Sequence, residues 1–152
     1  MSVALLDVNV LVALFDPAHP NHENAHQWFG RNRKRGWATC PLTANGFIRV
    51  LGNPAYPTVT ATPEEVASRL RVLCSARDHH WWEDSASLLD EGLFRTHLIP
   101  GHQKITDVYL LGLAVRRQGK LVTFDRSIPV KAVIGAGSGH LELIGAVSPG
   151  SA

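Results

Sequence analysis

The sequence predicts an α/β protein: a three-layer α/β/α sandwich around a mostly parallel sheet. Three observations carry this. Short apolar runs such as residues 3–6 and 121–124 lack polar alternation, as strands covered on both faces do. Helix-length segments separate the runs, which calls for crossover connections and parallel pairing. Two runs lead into an acid, Asp7 and Asp125, at the sheet edge where such folds place their working sites.

The elements follow in order. Residues 3–6 read as a buried strand, and residues 8–15 as an apolar helix that Pro17 and Pro20 end. Asn21 is a cap for a helix to about residue 33, with Ala25, Trp28 and Phe29 on one side; Gly36 breaks it. Residues 37–40 are the second strand. Pro41 suits the first turn of a helix over 42–51, which Gly52-Asn53-Pro54 stops. Residues 56–61 read as loop. Thr62-Pro63-Glu64-Glu65 is a helix start, with Thr as cap, Pro at the first position and Glu65 at capping-box spacing. That helix runs to about residue 76. Residues 79–82 read as a strand and 85–91 as a short helix. Thr106 caps a helix from residue 107 to about 117, with Gly119 just beyond it. Residues 121–124 are the next strand, 135–139 a glycine-rich loop and 140–144 the last strand. One domain over 1–146 is expected, followed by a flexible tail over 147–152.

Composition narrows the function. At 152 residues the chain can bury a core without disulfides or structural metal. A hydrophobic fraction of 45% with 18% charged residues excludes a disordered chain. No apolar run approaches the ~18 residues of a membrane span. The N-terminus meets Asp7 without a basic region before it, unlike a secretory signal. Cys40 and Cys74 make neither a disulfide framework nor a close metal pair, so a reducing cytoplasm is expected. The net charge of +2 does not announce a nucleic-acid binder, so the placement of the charges matters more than their sum.

Asp7 and Asp125 sit at strand ends, and Asp107 sits in the first turn of a helix. Two like charges ~4 Å apart at an effective dielectric of ~20 repel by roughly 4 kcal/mol. Such carboxylates share protons or recruit a cation, and their oxygens select hard ions such as Mg²⁺ or Mn²⁺. That chemistry supports metal-assisted phosphodiester hydrolysis. Each acid taken alone is better read as an ordinary cap or turn residue; the three at matching element ends favour a site.

At this point the residues resemble a family. Leu5-Leu6-Asp7-Val8-Asn9-Val10-Leu11 resembles the opening motif of PIN-domain ribonucleases, and Cys40-Pro41-Leu42-Thr43-Ala44-Asn45-Gly46-Phe47-Ile48-Arg49-Val50-Leu51 their second. Residues 101–107 and 121–125 resemble the third and fourth. The likeness is to the VapC toxins of bacterial toxin–antitoxin pairs, in their mycobacterial-type branch, and covers about residues 3–144. It implies RNA cleavage with Mg²⁺ or Mn²⁺, a VapB-like antitoxin and a homodimer. Asp7, Asp107 and Asp125 match the family's metal-ligand acids. Asn9 and Thr123 match polar positions that orient them, and Asn45 is a further polar candidate. The second motif departs from the family: the slot that usually holds Glu holds Ala44, which binds no metal. A natural loss and an engineered change would both leave this sequence. Weaker metal binding and reduced cleavage are expected. The alternative is a catalytically impaired PIN-like module that binds RNA or antitoxin.

Other patterns compete. His19, His22 and His26 fall close together but lack a nearby thiolate or hydrolase-spaced Glu, so a polar helix start outweighs zinc. His79-His80-Trp81-Trp82 reads as strand aromatics before it reads as a base-stacking surface. Arg49, Arg126 and His102 are candidates for substrate phosphate, with Lys104 in the same position as His102. Arg31, Arg33, Lys34, Arg35, Arg116, Arg117 and Lys120 suit phosphate contact and helix-dipole compensation equally. A small-molecule phosphatase using Asp7 as nucleophile is disfavoured, because Asn9 stands where such enzymes place an acid. The helix from Asp107 is apolar nearly all round, as a core helix or a dimer seam would be.

Overall fold

The computed structural model describes residues 2–145. The expected tail over 147–152, and residue 146 before it, lie outside the described residues. Five parallel strands form one sheet: β1 (Ala4–Leu6), β2 (Trp37–Thr39), β3 (His79–Trp81), β4 (Lys120–Thr123) and β5 (Leu141–Leu143). Their order is β3-β2-β1-β4-β5. The chain starts at the centre, builds outward through β2 and β3, then returns to lay β4 on the other side of β1. Leu5 pairs in register with Ala38 on one side and Leu121 on the other.

The central strands carry no polar alternation because both faces are covered. Ala4, Leu6, Trp37 and Val122 pack with α1 (Val8–Phe15), α2 (His22–Asn32), α3 (Pro41–Leu51) and α4 (Pro63–Cys74). Leu5, Ala38 and Leu121 face the other way, onto α5 (Ile105–Arg116) and the segments flanking it. These are the three layers that the sequence predicts. Each fully buried large side chain, such as Leu5 or Trp37, contributes roughly 1.5–3 kcal/mol by leaving water. The edge strands β3 and β5 are half-exposed.

Asn21 stands at the start of α2 but its side chain does not cap the helix, whereas the Thr62 cap forms as expected. Thr62 Oγ1 accepts from the Glu65 amide at the start of α4. Five consecutive residues of α1, Val10 to Leu14, are buried, and its C-terminal carbonyls find unexpected partners. The His22 ring donates to the Ala13 carbonyl (2.7 Å) and the His26 ring to the Leu14 carbonyl (2.9 Å). These two ring nitrogens close the carboxyl end of α1.

Three further expectations are corrected. Residues 85–91 form no helix: Ser87 Oγ accepts from the Leu89 amide and Asp90 Oδ1 from the Gly92 amide. Such local side-chain bonds compete with helix formation. Thr106 does not cap α5, because the 3₁₀ turn His102–Lys104 runs directly into a helix that already begins at Ile105. Beyond α5, the left-handed residue is Gln118 (φ 57°), not Gly119. Gly119 is needed for close approach: a Cβ there would lie 2.5 Å from the Val3 carbonyl oxygen and 2.7 Å from the Trp82 ring.

Candidate acidic site

The site grows out of the strand order. The order in which strands are added reverses between β1 and β4, and the crevice beyond their carboxyl ends is where open parallel sheets place ligands. Asp7 follows β1, and Asp125 stands two residues beyond the end of β4.

Asp7 is 6% exposed. Its Oδ1 accepts from the Val8 amide at 2.7 Å and its Oδ2 from the Thr123 hydroxyl at 2.7 Å. Thr123 is fully buried. Its oxygen also accepts from Asn9 Nδ2 and from the Asp125 amide, each at 3.1 Å. A hydroxyl has one proton to give and two acceptor positions. With donors on both acceptor positions, the proton must go to Asp7. Asn9 Oδ1 takes the Phe124 amide at 3.4 Å, so its orientation is fixed too. The structure therefore joins Asp7, Asn9, Thr123 and the Asp125 backbone in one network.

Asp125 is held by residues the sequence undervalues. Its Oδ1 accepts from the Ser127 amide (2.8 Å) and hydroxyl (2.6 Å). Lys104 Nζ meets its Oδ2 at 3.2 Å and also bonds Ser127 Oγ. Burial pushes this carboxyl up, but the Ser127 donors and the Lys104 ammonium outweigh it and bring it down to about 2. Ser127 had a legible signal: Asp-x-Ser after a strand is a turn in which the acid accepts from the residue two ahead. Lys104 had none, since only the fold brings residue 104 beside residue 125.

Asp107, in the first turn of α5, completes the group. Burial raises its carboxyl to about 6, with the charges of Asp7 and Asp125 adding and Lys104 opposing. Burial also raises Asp7, against its bonds from Thr123 and Val8. The three acids thus feel one another. Among the described residues, no three His, Cys, Asp or Glu side chains form a ready-made cation cage. The donor chemistry fits a hard divalent ion, while the Asp7 oxygens are engaged by Val8 and Thr123 and those of Asp125 by Ser127 and Lys104.

The remaining candidates are dispersed. Ala44 is half-buried on α3 and packs on the core shared by α1 to α4, while Asn45 is exposed. Gly46 lets α3 pass tightly over Val8: a Cβ there would lie 2.7 Å from Val8 Cγ2. That contact sets α3 against the helix that Asp7 caps. Arg49, His102 and Arg126 are all exposed. Several other cations are already paired: Arg33 with Asp78 (2.7 Å), Arg116 with Asp90 (3.2 Å) and Lys120 with Glu142. Trp82 is buried, whereas Trp81 is half-exposed on the edge strand. Both cysteines are free, and no helix among the described residues is long and apolar enough to cross a membrane.

Comparison with known proteins agrees with this architecture. The PIN domain family profile matches residues 4–133. The chain is 44% identical over 141 residues to Ribonuclease VapC44 of Mycobacterium tuberculosis, covering 91% of this chain and 96% of that one. It is 43% identical over 129 residues to Ribonuclease VapC38 of the same organism, covering 83% and 87%. Ribonuclease VapC39, also from M. tuberculosis, is 37% identical over 132 residues, covering 87% and 95%. In fold, the chain is similar to the crystal structure of M. tuberculosis VapC20, described as a sarcin–ricin loop cleaving toxin, with a TM-score of 0.61 at 9% identity. That alignment covers 88% of this chain and 98% of VapC20. Taken with the acids beyond β1 and β4, these matches place the chain in the PIN-domain family, among the VapC ribonucleases.

Proposed function

We propose that the chain is the toxin of a toxin–antitoxin pair, an endoribonuclease that depends on Mg²⁺ or Mn²⁺. The observation that carries this is the placing of Asp107 with Asp7 and Asp125, where burial, with the charges of the other two acids adding, raises its carboxyl to about 6. Three carboxylates concentrated at a sheet switch point leave negative charge that a divalent cation would neutralise. Asp7, Asp107 and Asp125 would hold the ion, which when bound supplies activation of water and stabilisation of charge on the phosphate.

The chain's own residues have distinct tasks. Thr123 and Asn9 fix Asp7 so that its carboxylate does not turn away. Ser127 fixes Asp125, and Lys104 balances its charge until a cation or substrate competes. Asn45, exposed on α3, is a further polar candidate for orienting a ligand. The exposed Arg49, Arg126 and His102 are the groups for RNA phosphates. Ala44 leaves one ligand position without an acid, which lowers cation affinity and cleavage rate. A VapB-like antitoxin, a homodimer and a cytoplasmic location accompany this reading.

Incubating total RNA with the protein tests it, in Mg²⁺, Mn²⁺ or EDTA, with Asp7→Asn and Ala44→Glu alongside. Cleavage that needs a divalent ion, vanishes in Asp7→Asn and rises at least tenfold in Ala44→Glu is expected. Cleavage unchanged in Asp7→Asn sinks the reading. A second reading, an impaired module that binds RNA or antitoxin, is favoured by two separate features: Ala44 in place of an acid, and Lys104 already engaging Asp125. RNA binding without cleavage, even in Ala44→Glu at saturating Mn²⁺, would select it.

A further inference from the structure

A hollow of 380 Å³ lies beside the acidic site. Leu42, two positions into α3, forms part of its wall, with Leu88 and Ile105. Asp84, Thr106 and Tyr109 supply its polar groups. Thr106 immediately precedes Asp107 in the first turn of α5, and Leu42 lies just beyond the carboxyl end of β2. The hollow therefore opens on the same sheet edge as the three acids.

Two features of its lining are unexplained by folding. Tyr109 Oη is the one buried side-chain polar atom among the described residues without a hydrogen-bond partner. It lies near Asp84 and the Ala86 backbone but bonds neither in good geometry. Leaving such a group unpaired is unfavourable, and a bound ligand would supply the missing partner. Asp84 is exposed, and among the described residues no Lys, Arg or His forms an ion pair with it. A phenol is neutral at pH 7, so Tyr109 offers a hydroxyl donor.

We propose that this hollow holds one guanine base of the RNA, next to the phosphate placed at the acids. The proposal rests on the ribonuclease reading above. An uncompensated carboxylate repels phosphate, so the hollow suits a base rather than the backbone. Its apolar walls match the flat faces of a base, and the volume exceeds that of a purine. Asp84 is acceptor-only. Guanine alone among the four bases offers two adjacent donors on its pairing edge, N1–H and N2–H₂, which one carboxylate can take together. The Tyr109 hydroxyl is free to donate to a base acceptor. A site built to pair donors with a carboxylate discriminates strongly against a base lacking them.

Fluorescence anisotropy of labelled octamer RNAs tests this, with Ca²⁺ in place of Mg²⁺ and Mn²⁺. The octamers are all uridine, or uridine with one guanosine, one inosine (no 2-amino group) or one adenosine. The guanosine octamer should bind about tenfold more tightly than the other three. Asp84→Asn should bring the four within about twofold and leave the all-uridine affinity unchanged. Tyr109→Phe should narrow the gap. Equal binding of guanosine and adenosine octamers, or a guanosine preference that survives Asp84→Asn, overturns the pocket alone. No binding of any octamer overturns the RNA reading, and the pocket with it. A dimer that dissociates in Ile105→Asp, without any guanosine preference, assigns the hollow to a second copy of the chain and likewise overturns the proposal.

Discussion

Thr123 shows how one side chain can decide the geometry of a site. Its hydroxyl receives two donors and gives its proton to Asp7, so Thr123→Val strands an amide, a carboxamide and a carboxylate oxygen at once. Urea denaturation should show a loss of about 2 kcal/mol, and divalent-ion-dependent RNA cleavage should fall at least tenfold. Asp107 has the opposite balance between stability and function. Its carboxyl titrates higher in the folded chain than its ordinary 3.8, at about 6. The folded state therefore binds the proton more tightly, and stability falls as pH rises through the window from 3.8 to about 6. Asp107→Asn removes that penalty: it should abolish cleavage while raising stability at pH 7 by on the order of 1 kcal/mol, after allowance for solvent screening. A variant less stable than the parent at pH 7 would show that the burial and crowding of this charge do not weigh on the fold.

At the scale of elements, two contacts hold the layers in the positions that the site requires. Gly112 of α5 lies against Phe94, and a Cβ there would fall 2.2 Å from the ring. Gly112→Ala must push a buried ring aside, so thermal unfolding should register a loss of about 2 kcal/mol. At the end of α1, buried Asp16 accepts from Tyr56 (2.6 Å), Thr58 (2.5 Å) and the Ala18 amide (2.9 Å). Burial alone would raise this carboxyl, but the Thr58 and Tyr56 hydroxyls win and hold it below 3.8. The sign is that of a depressed acid. The contribution is present above 3.8 and is lost as pH falls through the lower folded value. Tyr56→Phe should cost about 1.5 kcal/mol at pH 7, and the difference should shrink in acid. Sequence alone identified α1 to the residue, because its apolar run stops at Asp16 and two prolines follow. It misread residues 85–91, where the local bonds of Ser87 and Asp90 decide the conformation in a segment with helical composition. Such contests turn on side-chain hydrogen bonds that apolar periodicity does not report.

For the whole molecule, a ligand that binds only the folded state must raise its stability. Mn²⁺ at one hundred times its Kd should add about 2.7 kcal/mol, seen as a rise of several degrees in Tm. Asp7→Asn should lose most of that rise, and Ala44→Glu should reach it at lower Mn²⁺. A Tm indifferent to Mn²⁺ in all three proteins would count against a cation at the acids. The net charge of +2 conceals this arrangement, since acids converge at one edge while several cations are spent in ion pairs elsewhere. The sequence by itself determined the alternation of buried strands and helices, because strands covered on both faces need continuous apolar runs. It also determined that Asp7 and Asp125 follow strands, since that is a matter of chain position. Only the tertiary structure decided that β1 and β4 are neighbours, 116 residues of sequence separating Thr123 from the carboxylate it serves. The same strand order brought Lys104 to Asp125 and opened the hollow between α3 and α5. Strand order depends on which faces the helices can cover, a property of the packed whole that no local run of residues encodes.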